Sequence, residues 1–342
     1  MDPKVDAAHV PAPLAVDQGE SSWICAEVSG RGRSFAVLAW LHRTGPRLSR
    51  FDAGPGLLDH DQLPSQLRDL VPSWLPIVTP VKVRTDDRPL LMVVLYDLDH
   101  PEEPPMQVEH EVEPSDFDAG TFSASTPDLA LHAKRDRLEL MAKTSRFRLS
   151  LELKPAKPAV AFGDDGSPTL RHGDIEVGYL QRPRLRVSGR IAVDGESIEV
   201  TGEGAHDRHW RTTSAMTLAW LWLHVRLDGD REVNAYVIRD SRAGESIVGT
   251  GGWWIDADTR VRSLGDFVLE RRGDAYVFET TALDVRIDFV HAVERSYLRM
   301  KAFGDAIDGG ISEAPIRVVA PSTSSGVKGW LEVFDSSTCV AR

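Results

Sequence analysis

The segment Phe-Arg-Leu-Ser-Leu-Glu-Leu at residues 147–153 decides the fold class, because its apolar and polar residues alternate without exception. Alternation with a period of two is typical of a β-strand that buries one of its faces. Similar segments recur along the chain, separated by turn dipeptides such as Asp194-Gly195, Asp228-Gly229 and Gly273-Asp274. The sequence therefore predicts an all-β protein assembled from antiparallel hairpins.

Helix signals are few in the chain. Leu63, Leu67 and Leu70 follow a helical spacing, which predicts one short helix over residues 62–71. Strands and helices do not alternate, and no glycine-rich phosphate loop occurs, which argues against a doubly wound nucleotide-binding fold. We therefore expect barrels or sandwiches with little helix.

The length of 342 residues predicts two domains, since one domain commonly takes about 150 residues. Residues 1–20 are rich in alanine, proline and aspartate without a period, so we expect a flexible leader and structure that starts near Trp23. We place the boundary between the domains near Pro183. The expected domains are then 21–183 and 184–342.

Composition and charge exclude several classes of function. The basic residues are scattered and number 40 against 52 acidic ones, for a net charge of −12, so we expect no nucleic-acid partner. The longest apolar run, residues 90–96, is far shorter than the roughly 20 residues that span a bilayer, and no signal-peptide pattern occurs. We expect a cytoplasmic protein that does not insert into membranes. The sequence has two cysteines, Cys25 and Cys339, which fits a reducing compartment; the alternative is a disulfide bond between them.

Five of the nine tryptophans lie between residues 202 and 254. If residues 218–226 form a strand, the period of two places Trp220, Trp222 and His224 on one face and aliphatic residues on the other. A hairpin through Asp228-Gly229 then sets Asn234 and Tyr236 of the next strand beside the tryptophans. Such a surface is typical of an apolar ligand pocket, with a plain aromatic core as the equal alternative. The predicted substrate-binding residues are Trp210, Trp220, Trp222, Asn234 and Trp254.

The segment Gly-Glu-Gly-Ala-His-Asp-Arg-His-Trp at residues 202–210 places Asp207 on the same strand face as His209. His206 faces the opposite way, and no third ligand stands at a metal spacing, so no metal site and no cofactor are expected. An aspartate in an apolar pocket is a candidate general acid if burial raises its pKa. The alternative is a structural aspartate that pairs with Arg208 or with a turn amide. The predicted catalytic residues are Asp207, His224 and Tyr236.

Over most of its length the chain resembles a known family, that of the carotenoid hydratases and the AttH-like proteins. The resemblance rests on the segments LELKPAKPAVAFGDDG at 151–166, RPRLRVSGRIAVDGESIEVTGEGAHDRHW at 182–210 and LAWLWLHVRLDGDREVNAYVIRD at 218–240. The family motif is matched by Val200-Thr201-Gly202, Asp207 and Trp210. Trp23 and residues 326–334 look like the opening and the closing strand of the family.

This resemblance implies two lipocalin-like antiparallel β-barrel domains, a ligand site between or beside the barrels, and apolar polyene substrates converted without a cofactor. The family includes hydratases of acyclic carotenoids and fungal Diels-Alderases that close decalin rings. Where it commonly has Tyr-Ser-Tyr-Pro, this chain reads Tyr-Leu-Gln-Arg-Pro at 179–183. That departure favours a natural-product cyclase over a true carotenoid hydratase.

We therefore expect a cofactor-independent, Diels-Alderase-like cyclase that folds a linear polyene or polyketide into one reactive conformer. One alternative is protonation of an alkene by neutral Asp207, as in a hydratase or a terpene cyclase. The other is a lipocalin-like carrier that binds an apolar metabolite without converting it. In each case the partner is an apolar small molecule.

Overall fold

The computed structural model describes two large antiparallel β-sheets, which we call sheet 1 and sheet 2. The described residues are 18–44, 56–58, 77–79, 89–134, 136–161, 169–172, 175–213, 218–227, 229–240, 246–293, 298–301, 308–320 and 328–335. Within these residues, no helix has the length and apolar character needed to span a membrane. The all-β, two-domain lipocalin-like fold expected from the sequence is confirmed.

In the described residues, sheet 1 has thirteen strands and curls into a half-barrel. Its strands are β1 (Gln18–Gly30), β2 (Arg33–Thr44), β5 (Leu90–Asp97), β6 (Met106–Glu111), β7 (Phe117–Asp118), β8 (Ser123–Ser125), β9 (Leu129–Ala133), β10 (Leu138–Lys143), β11 (Phe147–Pro155), β12 (Val160–Ala161), β13 (Thr169–His172), β14 (Ile175–Val193) and β15 (Glu196–Thr213). They pair in the order β6-β5-β2-β1-β15-β14-β11-β10-β9-β8-β7, while β12 and β13 pair with β14. A separate pair consists of β3 (Gly56–Leu58) and β4 (Ile77–Thr79).

Sheet 2 has ten strands in the part of the chain that the structure describes, and it curls in the same way. Its strands are β16 (Leu218–Leu227), β17 (Arg231–Asp240), β18 (Ser246–Ile255), β19 (Val261–Ser263), β20 (Phe267–Arg272), β21 (Ala275–Thr280), β22 (Val285–His291), β23 (Leu298–Lys301), β24 (Asp308–Ala320) and β25 (Lys328–Asp335). Their order is β19-β18-β17-β16-β25-β24-β22-β21-β20, with β23 beside β24. Strand β25 therefore lies between the first strand of the sheet and its later strands.

The change from sheet 1 to sheet 2 occurs after β15, beyond the boundary expected near Pro183. Strand β14 continues through Pro183, and its pairing with β15 shifts in register between Arg182 and Leu185. Such a bulge accommodates a proline, which has no N–H group for the ladder. The expected domains 21–183 and 184–342 therefore do not coincide with the sheets, because all of β14 and β15 belongs to sheet 1.

Strand β1 begins at Gln18, within the stretch 1–20 that was expected to be a flexible leader. Glu20 is buried, and its carboxylate pairs with Arg43 at 2.6 Å and with Arg208 at 2.9 Å. The structured chain therefore starts earlier than the composition indicates, because composition does not reveal the two arginines that neutralise this carboxylate.

The turn Asp194-Gly195 joins β14 to β15, as predicted. Both residues are in the left-handed region, with φ of 53° and 82°, which suits the tight turn of a hairpin and explains the glycine. The helix predicted over 62–71 and Cys339 lie outside the described residues.

Each sheet encloses its own apolar core, and a third buried cluster lies between the sheets. Strand β1 illustrates the division, since Ile24 and Ala26 belong to the core of sheet 1, whereas Trp23 and Cys25 face sheet 2. The inter-sheet cluster consists of Trp23, Cys25, Ala36, Leu38, Trp40, Met92, Val94, Tyr96, Trp222, Tyr236, Val293, Ala314 and Trp330. Burial of this apolar surface holds the sheets together.

A buried ion cluster also ties the two sheets. Lys157, which follows β11 of sheet 1, donates to Glu232 of β17 at 2.7 Å and to the backbone carbonyls of Asp230 and Asp256. Arg184 of β14 lies 2.7 Å from the second oxygen of Glu232. The ammonium of Lys157 and the carboxylate of Glu232 are almost fully shielded from water, so each depends on the other for its charge balance.

We expect Glu232→Gln to lower the free energy of unfolding by about 3–5 kcal/mol, because it removes the only fully buried carboxylate that pairs with Lys157 and Arg184 among the described residues and leaves them the half-exposed carboxylate of Asp230. Urea denaturation measures this loss. Glu199→Gln is the matched control, since the pair of Glu199 with Arg190 is exposed and is worth at most about 1 kcal/mol. Equal losses of unfolding free energy in the two variants would show that the buried ion cluster does not stabilise the contact between the sheets.

Candidate functional site

Strand β16 supplies the aromatic face of the site. Trp222 points into the inter-sheet cluster, and the ring of His224 lies 6.2 Å from its own. Leu223 and Val225 are fully buried in the core of sheet 2. The two faces predicted for this strand are therefore confirmed.

The hairpin of β16 and β17 brings the polar residues of β17 to the same face, as predicted. Its register pairs Trp222 with Tyr236 and His224 with Asn234. Gly251 of β18 lies opposite Tyr236, and a Cβ atom there would stand 2.6 Å from the tyrosine ring. The glycine thus allows the ring of Tyr236 to lie across the neighbouring strand.

Of the neighbouring residues Trp253 and Trp254, the first faces the site. Trp253 packs against the inter-sheet cluster, with its ring 5.7 Å from that of Tyr236. Trp254, which was expected in the binding surface, packs on the core of sheet 2 instead, where Arg262 lies 5.3 Å from its ring. Trp210 is part of β15, but its side chain lies outside the described part of the structure.

Asp207 lies on β15 at the centre of the face that sheet 1 presents to sheet 2. It is paired with Gln181 of β14 and with Trp23 of β1, whose ring stacks on Trp40 at 4.8 Å. Its side chain is only 4% exposed, and Oδ1 has no hydrogen-bond partner among the described residues. One oxygen of the carboxyl is therefore available to a ligand.

Burial raises the pKa of Asp207 to about 8. Interactions with Gln181 and Tyr179 counteract part of this rise, and the neighbouring Glu332 carboxyl adds to it. At neutral pH the side chain is mostly protonated, so it is a neutral acid. Arg208, which was considered as its structural partner, pairs with a carboxylate on the other face of β15.

Tyr179 of β14 connects Asp207 to sheet 2. Its hydroxyl oxygen accepts hydrogen bonds from Trp222 Nε1 at 3.1 Å and from Asn234 Nδ2 at 2.9 Å. The hydroxyl proton is then left for the carboxyl of Asp207, with which Tyr179 also interacts. Tyr179 therefore orients the acid, and the proton of Asp207 is directed to Oδ1.

Two further carboxyls, Glu313 of β24 and Glu332 of β25, lie on the facing surface of sheet 2. They are directly opposite each other in register, and Glu332 is also paired with Trp222. Glu313 Oε1 accepts a hydrogen bond from the thiol of Cys25 at 2.7 Å, and Glu332 Oε1 accepts one from the indole of Trp220. Burial raises the pKa of both, that of Glu332 to about 7.

The sequence reasoning missed Tyr179, Glu313 and Glu332. Tyr179 was considered only as part of a motif that departs from the family pattern. Its position in the strand could have indicated its role. Tyr179 is two residues from Gln181 and therefore lies on the same face of β14, and Gln181 is paired with Asp207. The alternation of Trp330 and Glu332 in β25 gives a similar signal, whereas nothing local indicates that Glu313 is buried.

The buried histidines of the site, His206, His209 and His224, have lowered pKa values and are neutral. Burial lowers the pKa of His224 to about 3, and neither of its ring nitrogens has a partner among the described residues. Burial likewise lowers the pKa of His209 to about 4, and its ring lies 4.8 Å from that of Tyr179. His206 faces the opposite way, as expected, and hydrogen-bonds to Ser22 at 2.8 Å. The described residues contain no group of His, Cys, Asp and Glu arranged to hold a metal ion.

Comparisons with known proteins match the fold and the region of the site. The family model of AttH-like proteins matches residues 107–282, which is just over half of the chain. No curated protein sequence matches the chain.

Three solved structures have a similar fold. One, assigned as an AttH protein from Nitrosomonas europaea, has a TM-score of 0.69 and 17% identity and covers 97% of this chain and 96% of its own. Kievitone hydratase from Nectria haematococca has a TM-score of 0.59 and 14% identity, with 92% and 88% covered. CghA has a TM-score of 0.50 and 12% identity, with 94% and 88% covered. At these identities the likeness concerns the fold alone.

We expect Asp207→Asn to stabilise the protein at alkaline pH. An aspartate ionises near pH 3.9 in the unfolded chain but near 8 in the fold, so its contribution to stability is full below about pH 4 and is lost as the pH rises to 8. The loss amounts to at most about 1.4 kcal/mol per pH unit. Urea denaturation between pH 5 and 8.5 measures the difference between the two proteins, which should grow with pH. Parallel curves would contradict the buried neutral acid.

Proposed function

The chain belongs to the AttH-like family, and we propose that it is an enzyme that uses neutral Asp207 to protonate an alkene of an apolar small molecule bound between its sheets. The observation that carries this proposal is the state of Asp207, which is buried, mostly protonated at neutral pH and free at Oδ1. A carrier needs an apolar surface but no acid in this state, so the arrangement favours catalysis over transport.

The aromatic residues around Asp207 suit such a reaction. Protonation of an alkene leaves a cation, and indole faces attract cations through their π-electrons. Trp23 and Trp40 stack beside Asp207, while Trp222 is linked to it through Tyr179. Water or an internal alkene then captures the cation, which gives hydration or ring closure. Kievitone hydratase, a protein of similar fold, is named for a hydration, which supports this class of reaction.

A second candidate is the Diels-Alderase-like ring closure favoured by the sequence resemblance. The indole N–H groups of Trp40 and Trp330 are buried without partners among the described residues, and they are suitable donors to a carbonyl conjugated with a dienophile. Most of the rate in this case comes from holding one substrate conformer. In both candidates the substrate is a linear polyene or polyketide, and the catalytic groups are side chains of this chain. For either reaction we propose a cytoplasmic location.

The two candidates differ in their dependence on pH. Purified protein is incubated with geranylgeraniol and squalene as probes of alkene protonation, and with a linear polyene that carries a conjugated diene and a dienophile as the probe of ring closure. Products of unchanged mass or 18 units heavier are sought. For the acid reaction we expect the rate to fall about tenfold per unit above pH 8, because Asp207 ionises there. Asp207→Asn is expected to lower the rate about 100-fold or more at pH 7. A rate that is flat with pH and survives this substitution would support the pericyclic reaction instead.

The neighbours Trp222 and Leu223 test which face of β16 serves the reaction. Trp222→Phe keeps an aromatic ring but removes the donor to Tyr179, so we expect reduced turnover with a smaller stability loss than that of a truncation to alanine. Leu223→Ala is expected to cost about 2–5 kcal/mol of stability with unchanged turnover of the folded fraction. Urea denaturation and the polyene assay separate these effects, and the reverse outcome would assign the site to the opposite face.

A further inference from the structure

The carboxyl groups of Glu313 and Glu332 form a buried pair that has no role in the protonation step proposed for Asp207. The two residues are cross-strand neighbours, a position in which opposed side chains lie about 5 Å apart at their Cβ atoms. Their exposed fractions are 1% and 7%. No cation pairs with either carboxyl among the described residues, in contrast to Glu232, which two cations neutralise.

Stability alone does not explain such a pair. Two carboxyls placed opposite each other repel when both are ionised, and each buried charge without a partner costs several kcal/mol. One protonated and one ionised carboxyl relieve the repulsion while keeping one negative charge between the sheets. Two acids whose surroundings divide their roles in this way are typical of acid and base catalysis.

Polar groups around the pair lack protein partners. On the same face of sheet 2, the indole N–H of Trp330 and both ring nitrogens of His224 are fully buried without hydrogen bonds to described residues. Oε2 of Glu313 is also buried and without a partner. Buried polar groups are nearly always satisfied, so several unpaired ones in one place indicate that a bound molecule completes them.

The pair lies within reach of the reaction that starts at Asp207. One cross-strand row of sheet 2 runs Tyr236, Trp222, Glu332 and Glu313. Trp222 is therefore one strand away from Glu332, about 4.8 Å between backbones, and it is linked to Asp207 through Tyr179. A cation on the indole face of Trp222 lies between the acid on sheet 1 and the carboxyl pair on sheet 2.

We propose that Glu332 is the catalytic base that completes the reaction started by Asp207, with Glu313 held protonated beside it. Hydrogen bonding distinguishes the two carboxyls. Glu332 accepts a hydrogen bond from the indole N–H of Trp220, which favours the ionised form of Glu332. Glu313 accepts one from the thiol of Cys25, which is a weaker donor and stabilises the ionised form less. This inference rests on the proposed alkene protonation.

The reaction is balanced without an oxidant or a reductant. The O–H bond of Asp207 breaks and a C–H bond forms at one alkene carbon, so the other carbon becomes cationic. In hydration, the oxygen of water bonds to this carbon and one of its protons passes to Glu332. In isomerisation, a C–H bond next to the cation breaks instead, its electrons form the new alkene and its proton passes to Glu332. In ring closure, the π-electrons of an internal alkene first form a C–C bond to the cationic carbon, which moves the cation to the other carbon of that alkene. A C–H bond next to this second cation then breaks in the same way, and its proton passes to Glu332. Transfer of that proton back to Asp207 through solvent restores the enzyme.

Deuterium exchange in D₂O tests this assignment, with geranylgeraniol as the probe. In Glu332→Gln we expect product to fall about 100-fold or more, while the recovered probe still gains deuterium at alkene carbons, because Asp207 donates a deuteron and takes back a proton. Asp207→Asn should lose both product and exchange. Glu313→Gln tests the division of roles within the pair, since a neutral amide replaces a carboxyl that stays neutral, and its product should fall less than tenfold.

Each outcome has a defined meaning. Product formation by Glu332→Gln at the wild-type rate, or loss of exchange together with product, overturns the role of Glu332 as the base. Loss of product in Glu313→Gln equal to that in Glu332→Gln also overturns it, because a general disturbance of the buried pair would then be the cause. If the wild-type protein neither converts nor exchanges the probe, alkene protonation itself fails and the base fails with it. Melting temperatures show that each variant is folded.

Discussion

The packing of one aromatic face of sheet 1 against one aromatic face of sheet 2 is the contact on which the candidate site depends. Each sheet has its own apolar core, and the residues of the inter-sheet cluster lie outside both cores. The contact removes water from Asp207, Glu313 and Glu332, and burial is the main cause of the raised pKa of each. Without the second sheet, these carboxyls would be ordinary ionised surface groups.

The distribution of charge supports this division of roles. Where the sheets are tied by Lys157, Arg184 and Glu232, every buried charge has an opposite partner close by. Between the aromatic faces, the three carboxyls have no cation among the described residues. The ion pairs hold the sheets in place, whereas burial without a cation raises the pKa of the three carboxyls.

Local periodicity predicted the part of the site that lies within single hairpins. The faces of β16 and the pairing of Trp222 with Tyr236 follow from the alternation of side chains and one turn. The boundary of sheet 1 did not follow, because Pro183 is accommodated by a bulge that sequence patterns do not reveal. Glu313 and Glu332 were missed because an isolated acidic residue in a strand normally faces water, and only the partner sheet buries them.

The position of β25 between β16 and β24 limits how far sheet 2 can assemble during synthesis. During synthesis, sheet 1 and the hairpin of β16 and β17 emerge from the ribosome long before β25, which carries Trp330 and Glu332. Until β25 inserts, β16 has an open edge, and the indole of Trp222 has only part of its final surroundings. The nascent chain therefore carries an aromatic, aggregation-prone edge from the synthesis of β16 until that of β25, and Asp207 is made before the carboxyl pair that faces it.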